Sequence, residues 1–223
     1  MLKHITIEGV RNLAHIQVAL PAGATVLFGA NGSGKTSFLE AIHLLAVGRS
    51  FRTHQSKPVI QHGMAHCRVV GEVQRGRRAT VMGLEKHRDG GVKARVGGEN
   101  VPSLSELALH LPLVLLDTEG LGIVTGPPEG RRRLLDGTLF HVEQGFLSQW
   151  KRYALAVRQR NSGLRRGILS SDKAWRQEIA ETGTLLTQQR QAVAEKLADE
   201  LARLAPALSD DLVGMEVVFR AGW

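Results

Sequence analysis

Eight residues, Gly29-Ala-Asn-Gly-Ser-Gly-Lys-Thr36, constrain this chain more than any other stretch. They fill the template G-x-x-x-x-G-K-[ST], a phosphate-binding loop that works only on a strand-to-helix turn. The flanking residues supply that setting. Upstream, Thr25-Val-Leu-Phe28 is a short apolar, β-prone run that reads as the feeding strand. Downstream, Phe38, Leu39, Ile42, Leu45 and Ala46 recur with the period of a helix. Glycines at 29, 32 and 34 let the backbone curl tightly and turn its N–H groups toward a polyphosphate. The helix N-terminus behind them adds a partial charge of roughly +0.5. Lys35 is expected to reach the β- and γ-phosphates, and the Thr36 hydroxyl to ligate Mg²⁺. The expected ligands of a nucleoside triphosphate are therefore Gly29, Ala30, Asn31, Gly32, Ser33, Gly34, Lys35 and Thr36, with Thr36 also at the metal.

A chain of 223 residues has room for one large or two modest domains. Hydrophobic residues make up 43 % and charged residues 22 %, the balance of an ordinary globular protein. No apolar run approaches the roughly 18–20 residues of a membrane span. The opening Met1-Leu-Lys-His-Ile-Thr-Ile7 has a strand pattern and not that of a signal peptide. A single cysteine, Cys67, rules out a disulfide framework within the chain and suits a reducing cytoplasm. It lies in an alternating strand pattern, the place of a small buried hydrophobe. The formal net charge of +8 favours an anionic partner, with nucleic acid the leading candidate.

The chain reads in two halves. The first is β-rich: strands are expected at Leu2–Ile7, Ile16–Leu20, Thr25–Phe28, Cys67–Val73, Ala79–Leu84 and Val92–Val96. Arg75-Gly-Arg-Arg78 and Arg88-Asp-Gly-Gly91 are expected hairpin turns between the last three. Ser103-Leu-Ser-Glu106 has the form of a capping box opening a short helix. Pro112-Leu-Val-Leu-Leu-Asp117 then reads as a buried strand. Beyond residue 119 the pattern turns helical. Phe146, Trp150, Tyr153 and Val157 form one apolar stripe, and a second runs from Trp175 to Leu204, with room for a break near Gly183. Met215-Glu-Val-Val-Phe219 looks like a further strand. The expected division is a nucleotide-binding lobe, residues 1–118, and a mainly helical lobe, residues 119–223.

These residues resemble the RecF family of bacterial recombination and repair ATPases. The likeness is carried by Leu2, Ile5 and Arg11-Asn-Leu13, by the Gly29–Thr36 loop, by Glu40-Ala-Ile42 and by Gly48-Arg-Ser-Phe-Arg52. It continues through Leu111-Pro-Leu113, Glu119-Gly-Leu121, Arg131-Arg-Arg-Leu-Leu-Asp136, Trp150-Lys-Arg-Tyr153, Gln159-Arg-Asn161 and Leu164-Arg165 to Gly222-Trp223. The loop alone is shared with the wider ABC-type ATPases, SMC proteins included. The resemblance implies an α/β, ABC-type P-loop ATPase lobe with an attached, incomplete helical lobe. It implies ATP and Mg²⁺ as cofactors, ATP-dependent homodimers in the full-length parent, and binding to DNA at gapped or single-strand–double-strand junctions. RecO and RecR would be its partners in recombinase loading, and recombinational repair and the SOS response its setting. The family also needs an L-S-G-G-Q-like signature and a Walker B strand ending in Asp-Glu. Here only Leu104-Ser-Glu and Leu147-Ser-Gln-Trp150 come near a signature, so the chain is expected to be an N-terminal portion that binds ATP without efficient hydrolysis.

Other readings compete at particular residues. Leu113-Val-Leu-Leu-Asp117-Thr-Glu119 mimics a Walker B strand, with Asp117 as an acid at the Mg²⁺ site of a different P-loop enzyme, GTPase-like or kinase-like. Asp117-Thr-Glu-Gly120 also fits D-x-x-G, yet no guanine-reading N-K-x-D follows. The resemblance makes this stretch a lobe junction. Arg131, Arg132, Arg133, Arg152, Arg158, Arg160, Arg165 and Arg166 form either a solvated helix face or a set of DNA-phosphate contacts. Arg11 and Asn12 serve either a turn or the nucleotide. The nine histidines show no metal-ligand spacing.

Overall fold

The computed structural model describes residues 1–53, 55–116, 120, 122–143, 145–167, 170 and 172–221. The chain divides into two compact units, Met1–Leu115 and Leu116–Trp223. The boundary expected at 118/119 falls beside residues outside the described set.

The first unit is built on strands β1 (Leu2–Val10), β2 (Leu13–Ala19), β3 (His66–Arg75), β4 (Arg78–His87), β5 (Val92–Val96) and β6 (Glu99–Asn100). They form one sheet in the order β2-β1-β3-β4-β5-β6, and each of these pairings is antiparallel. Alternation decides which side is buried. Ile5, Ile7, Cys67, Val69, Val73, Met82, Leu84 and Ala94 face the core, where helix α1 (Lys35–Val47) meets them with Phe38, Ala41, Leu44 and Leu45. Gly71 of β3 permits this approach: a Cβ there would stand 2.5 Å from the Leu45 side chain. Cys67 is buried in this layer, and burial pushes its thiol up to about 11. The sheet's opposite face carries a row of polar and charged side chains across five strands. His15 lies opposite Glu8, Glu8 opposite Arg68, Arg68 opposite Glu85 and Glu85 opposite Lys93. The closest pair in the row is Arg68 with Glu85, at 3.0 Å.

The hairpin between β3 and β4 closes at the expected turn, with Arg75 paired to Arg78 and Gly76 at φ +59. Three expected strands are not found. Residues 25–28, 112–116 and 215–219 carry no ladder, and Asp117 lies outside the described residues. Val26, Phe28, Val114, Leu116 and Val218 are exposed. Apolar, β-prone composition favours extended backbone, but a strand also needs a neighbour to take its N–H and C=O groups, and none lies beside these runs among the described residues. The short helix α2 (Ser105–His110) forms without the side-chain reciprocity of a capping box. Its Ser103 hydroxyl is 2.7 Å from the Ser105 hydroxyl instead.

The second unit holds α3 (Gly122–Thr125), α4 (Pro128–Val142), α5 (Phe146–Arg165) and α6 (Asp172–Leu208). Helix α6 has 37 residues, about 55 Å of rise, and runs unbroken through Gly183, which is buried. Leu139, Phe146 and Leu186 form the buried centre, with Phe140, Tyr153 and Val193 against them. Trp150, expected in the same stripe, is 40 % exposed. Arg190 grips Asp136 through both carboxylate oxygens at 2.7 and 2.9 Å, tying α6 to α4. Arg160 with Asp172 and Arg152 with Glu178, each at 2.9 Å, tie α5 to α6. No described helix is long and apolar enough to cross a membrane.

Candidate functional site

Gly29–Thr36 forms a tight loop ending on the first turn of α1. Gly29, Gly32 and Gly34 have φ of +146, +82 and +100, where a side chain would be strained. At Gly34 a Cβ would also stand 2.5 Å from Leu13. Gly34 caps α1 with no side-chain hydrogen bond, and the first turn holds no acidic residue. The orphan N–H groups of the helix start are thus left to an external anion. The Lys35 ammonium donates to the carbonyls of Gly29 and Ala30, both at 2.8 Å, so it lies over the loop it belongs to. Thr36 is exposed beside it.

The turn between β1 and β2 is fastened to this loop. Asn12 Nδ2 donates to the Gly32 carbonyl at 2.8 Å, while its Oδ1 accepts from the buried Ser37 hydroxyl at 2.8 Å. A residue with two plausible roles therefore has a visible one: Asn12 sets the loop's shape from behind. Arg11 turns the other way, onto Glu40 of α1.

The loop opens on a cavity of about 840 Å³. Arg11, Lys35, Arg52, Lys57, Arg88 and His62 line it, and no carboxylate does among the described residues. Such a wall attracts a highly charged anion. Arg88 is engaged by the protein, its Nε donating to Met64 O at 2.5 Å and Nη2 to Gln61 O at 2.9 Å.

Glu40 carried part of the resemblance but was assigned no role, because a lone acid in an amphipathic helix looks like a solvated position. It is fully buried. Desolvation would raise its carboxyl, but hydrogen bonds from Arg11 and Ser50 and the charges of Arg11 and Arg52 outweigh that and hold it below the usual range. The signal was its place: Glu40 precedes Ala41 and follows Phe38 on the stripe that packs against the sheet.

Among the described residues no group of three or more His, Cys, Asp and Glu is placed to hold a metal. Mg²⁺ needs no such group, since it keeps water and takes phosphate oxygens with one or two protein donors. The Thr36 hydroxyl fits that requirement. Asp117 and Glu119, the alternative acids, lie outside the described residues. The arginines of the second unit are largely spoken for. Arg131 donates to the carbonyls of Ile123 and Gly126, and Arg152 and Arg160 are in the ion pairs above. Arg158 and Arg166 have no side-chain ion pair or hydrogen bond among the described residues.

The RecF/RecN/SMC N terminal domain model matches residues 1–200. The DNA replication and repair protein RecF of Stutzerimonas stutzeri (strain A1501) is 39 % identical over 225 residues, covering 100 % of this chain and 60 % of that protein. Two solved structures of the recombination mediator protein RecF in the RecFOR pathway, named with ATPrS and with ATP, have TM-scores of 0.83 and 0.84. They are 25 % and 24 % identical, each covering 94 % of this chain and 58 % of theirs. The chain thus spans about 60 % of the length of the curated relatives it matches.

Proposed function

The chain belongs to the RecF/RecN/SMC N-terminal domain family, and from that premise we propose that it binds ATP with Mg²⁺ at Gly29–Thr36 as part of a RecF-type DNA replication and repair protein. The observation that carries the reading is the uncapped start of α1 opening into a cavity walled by cations. Backbone N–H groups of the loop cradle the phosphates, Lys35 moves from its own carbonyls onto them, and Thr36 holds Mg²⁺ together with phosphate oxygens. Relatives named for ATP-bound RecF and for DNA replication and repair support this assignment.

The wider activity belongs to the same proposal. A nucleotide-binding lobe of residues 1–118 and a helical lobe of 119–223 act within a cytoplasmic protein that dimerises around ATP. That protein binds gapped DNA and works with RecO and RecR to load recombinase during recombinational repair and the SOS response.

The direct test is Lys35→Ala, with ATP affinity measured by titration calorimetry and folding checked by thermal unfolding. Binding is expected to vanish while the unfolding temperature holds. Unchanged affinity would overturn the site.

A further inference from the structure

We propose that Glu40 is a positioning residue for the bound phosphates: it keeps Arg11 on the protein and aims Arg52 into the cavity. This rests on the reading of Gly29–Thr36 as an ATP site. Three arginines line the cavity; Arg88 is held by the carbonyls of Met64 and Gln61, and the surroundings of the other two, Arg11 and Arg52, differ sharply.

Arg11 is spent. Its Nη2 and Nε donate to the two Glu40 oxygens at 2.7 and 2.9 Å, and its Nη1 donates to Pro58 O at 2.5 Å. Its backbone N–H donates to Val59 O at 2.8 Å. It is the one described non-glycine residue with positive φ, at +56. Such a backbone persists only where the surroundings over-determine it, and here four bonds do so.

Arg52 is held at its root and loose at its head. Its backbone N–H donates to Ser50 Oγ at 2.9 Å, and that same hydroxyl donates to Glu40 Oε1 at 2.5 Å. The guanidinium is nearly half exposed, and its Nη1 lies 3.6 Å from Glu40 Oε2, too far for a hydrogen bond. A polyphosphate carries several negative charges against the carboxylate's one, and charge-assisted bonds from a guanidinium to phosphate are strong. When Arg52 leaves, Glu40 keeps both bonds from Arg11 and one from Ser50. No buried charge is stranded by the exchange, so its cost is low. Glu40 therefore fixes the start of the Arg52 segment while giving up its head.

The test is a double-mutant cycle on the protein as it stands, with affinities for ATP, ADP and AMP measured for wild type, Glu40→Gln, Arg52→Ala and the pair. Thermal unfolding is recorded for each. In the wild-type background Arg52→Ala is expected to weaken ATP about tenfold or more, and AMP far less. In the Glu40→Gln background the same change is expected to weaken ATP by no more than about twofold, because the guanidinium is no longer aimed. Equal losses in the two backgrounds would overturn the proposal, as would equal losses for ATP and AMP. If Glu40→Gln does not fold, Ser50→Ala loosens the same turn without removing a charge and is held to the same two criteria. Wild-type protein that fails to bind ATP would refute the site itself. Normal ATP binding with an additive cycle would refute only the role of Glu40.

Discussion

Glu40 shows how much one buried side chain can organise. A carboxylate withdrawn from water is stable only with charged or hydrogen-bonding partners, and this one draws on the β1–β2 turn and on the segment after α1. Its ionisation is therefore linked to folding. Its carboxyl sits below the ordinary value of 4.5, so its contribution to stability is in place above that pH and is lost as pH falls through the folded value. Glu40→Gln cannot lose what it lacks. Its unfolding temperature is expected to lie below wild type near neutrality, with the gap narrowing below about pH 4.5, as read from unfolding temperature against pH. A gap that stays constant from pH 7 to pH 3 would show that the carboxylate is not the stabilising form. Asn12 makes a related point more simply, since one short amide serves a loop carbonyl and a helix hydroxyl together.

At the scale of elements, two kinds of helix do different work. Helix α1 is short, packs fully on the sheet and presents its bare N-terminus to the cavity. Helix α6 has a thin buried seam along much of its length, with Leu186 at its centre and only 1 % exposed. Few apolar contacts hold so long a helix, so each one matters. Leu186→Ala is expected to destabilise the helical unit by about 2–5 kcal/mol, the usual range for a buried leucine. The measurement is chemical denaturation followed by circular dichroism. A loss under about 1 kcal/mol would mean that the seam collapses to fill the space. The Arg190–Asp136 pair at both carboxylate oxygens adds a directional tie that a hydrophobic seam lacks.

For the molecule as a whole, the formal charge of +8 says little until its partners are counted. Several arginines that read as one DNA-facing run are engaged with carboxylates or carbonyls of their own unit, while Arg158 and Arg166 are not. Duplex binding through this run is accordingly expected to be weak in slope: about one to three phosphate contacts, giving a log–log salt dependence of roughly −1 to −3 instead of a steep one. Fluorescence anisotropy with a labelled duplex across 50–200 mM salt, about the range over which such slopes are read, would check this. A slope much steeper than about −5 would mean that the ion-paired arginines are released to the nucleic acid.

The loop, the hairpin turn at Arg75–Arg78 and the buried Cys67 were all legible in the residues. Each depends on local sterics or on a short hydrophobic period, and neighbours in sequence carry that information. The pairing of strands was not. Residues 25–28, 112–116 and 215–219 have the composition of strands, but a ladder needs a partner that composition does not name. The unbroken course of α6 through the buried Gly183 was not legible either. The pairing of the cavity's cations was decided by the fold: Glu40 and Arg11 are 29 residues apart, and only tertiary structure brings them within 2.7 Å. The amino-acid order determined that a tight glycine loop would form at the start of α1, because glycine dihedrals and a helix start suffice for it. Which cations face that loop, and which are already spent, was left to tertiary structure, because burial and charge pairing act between distant segments.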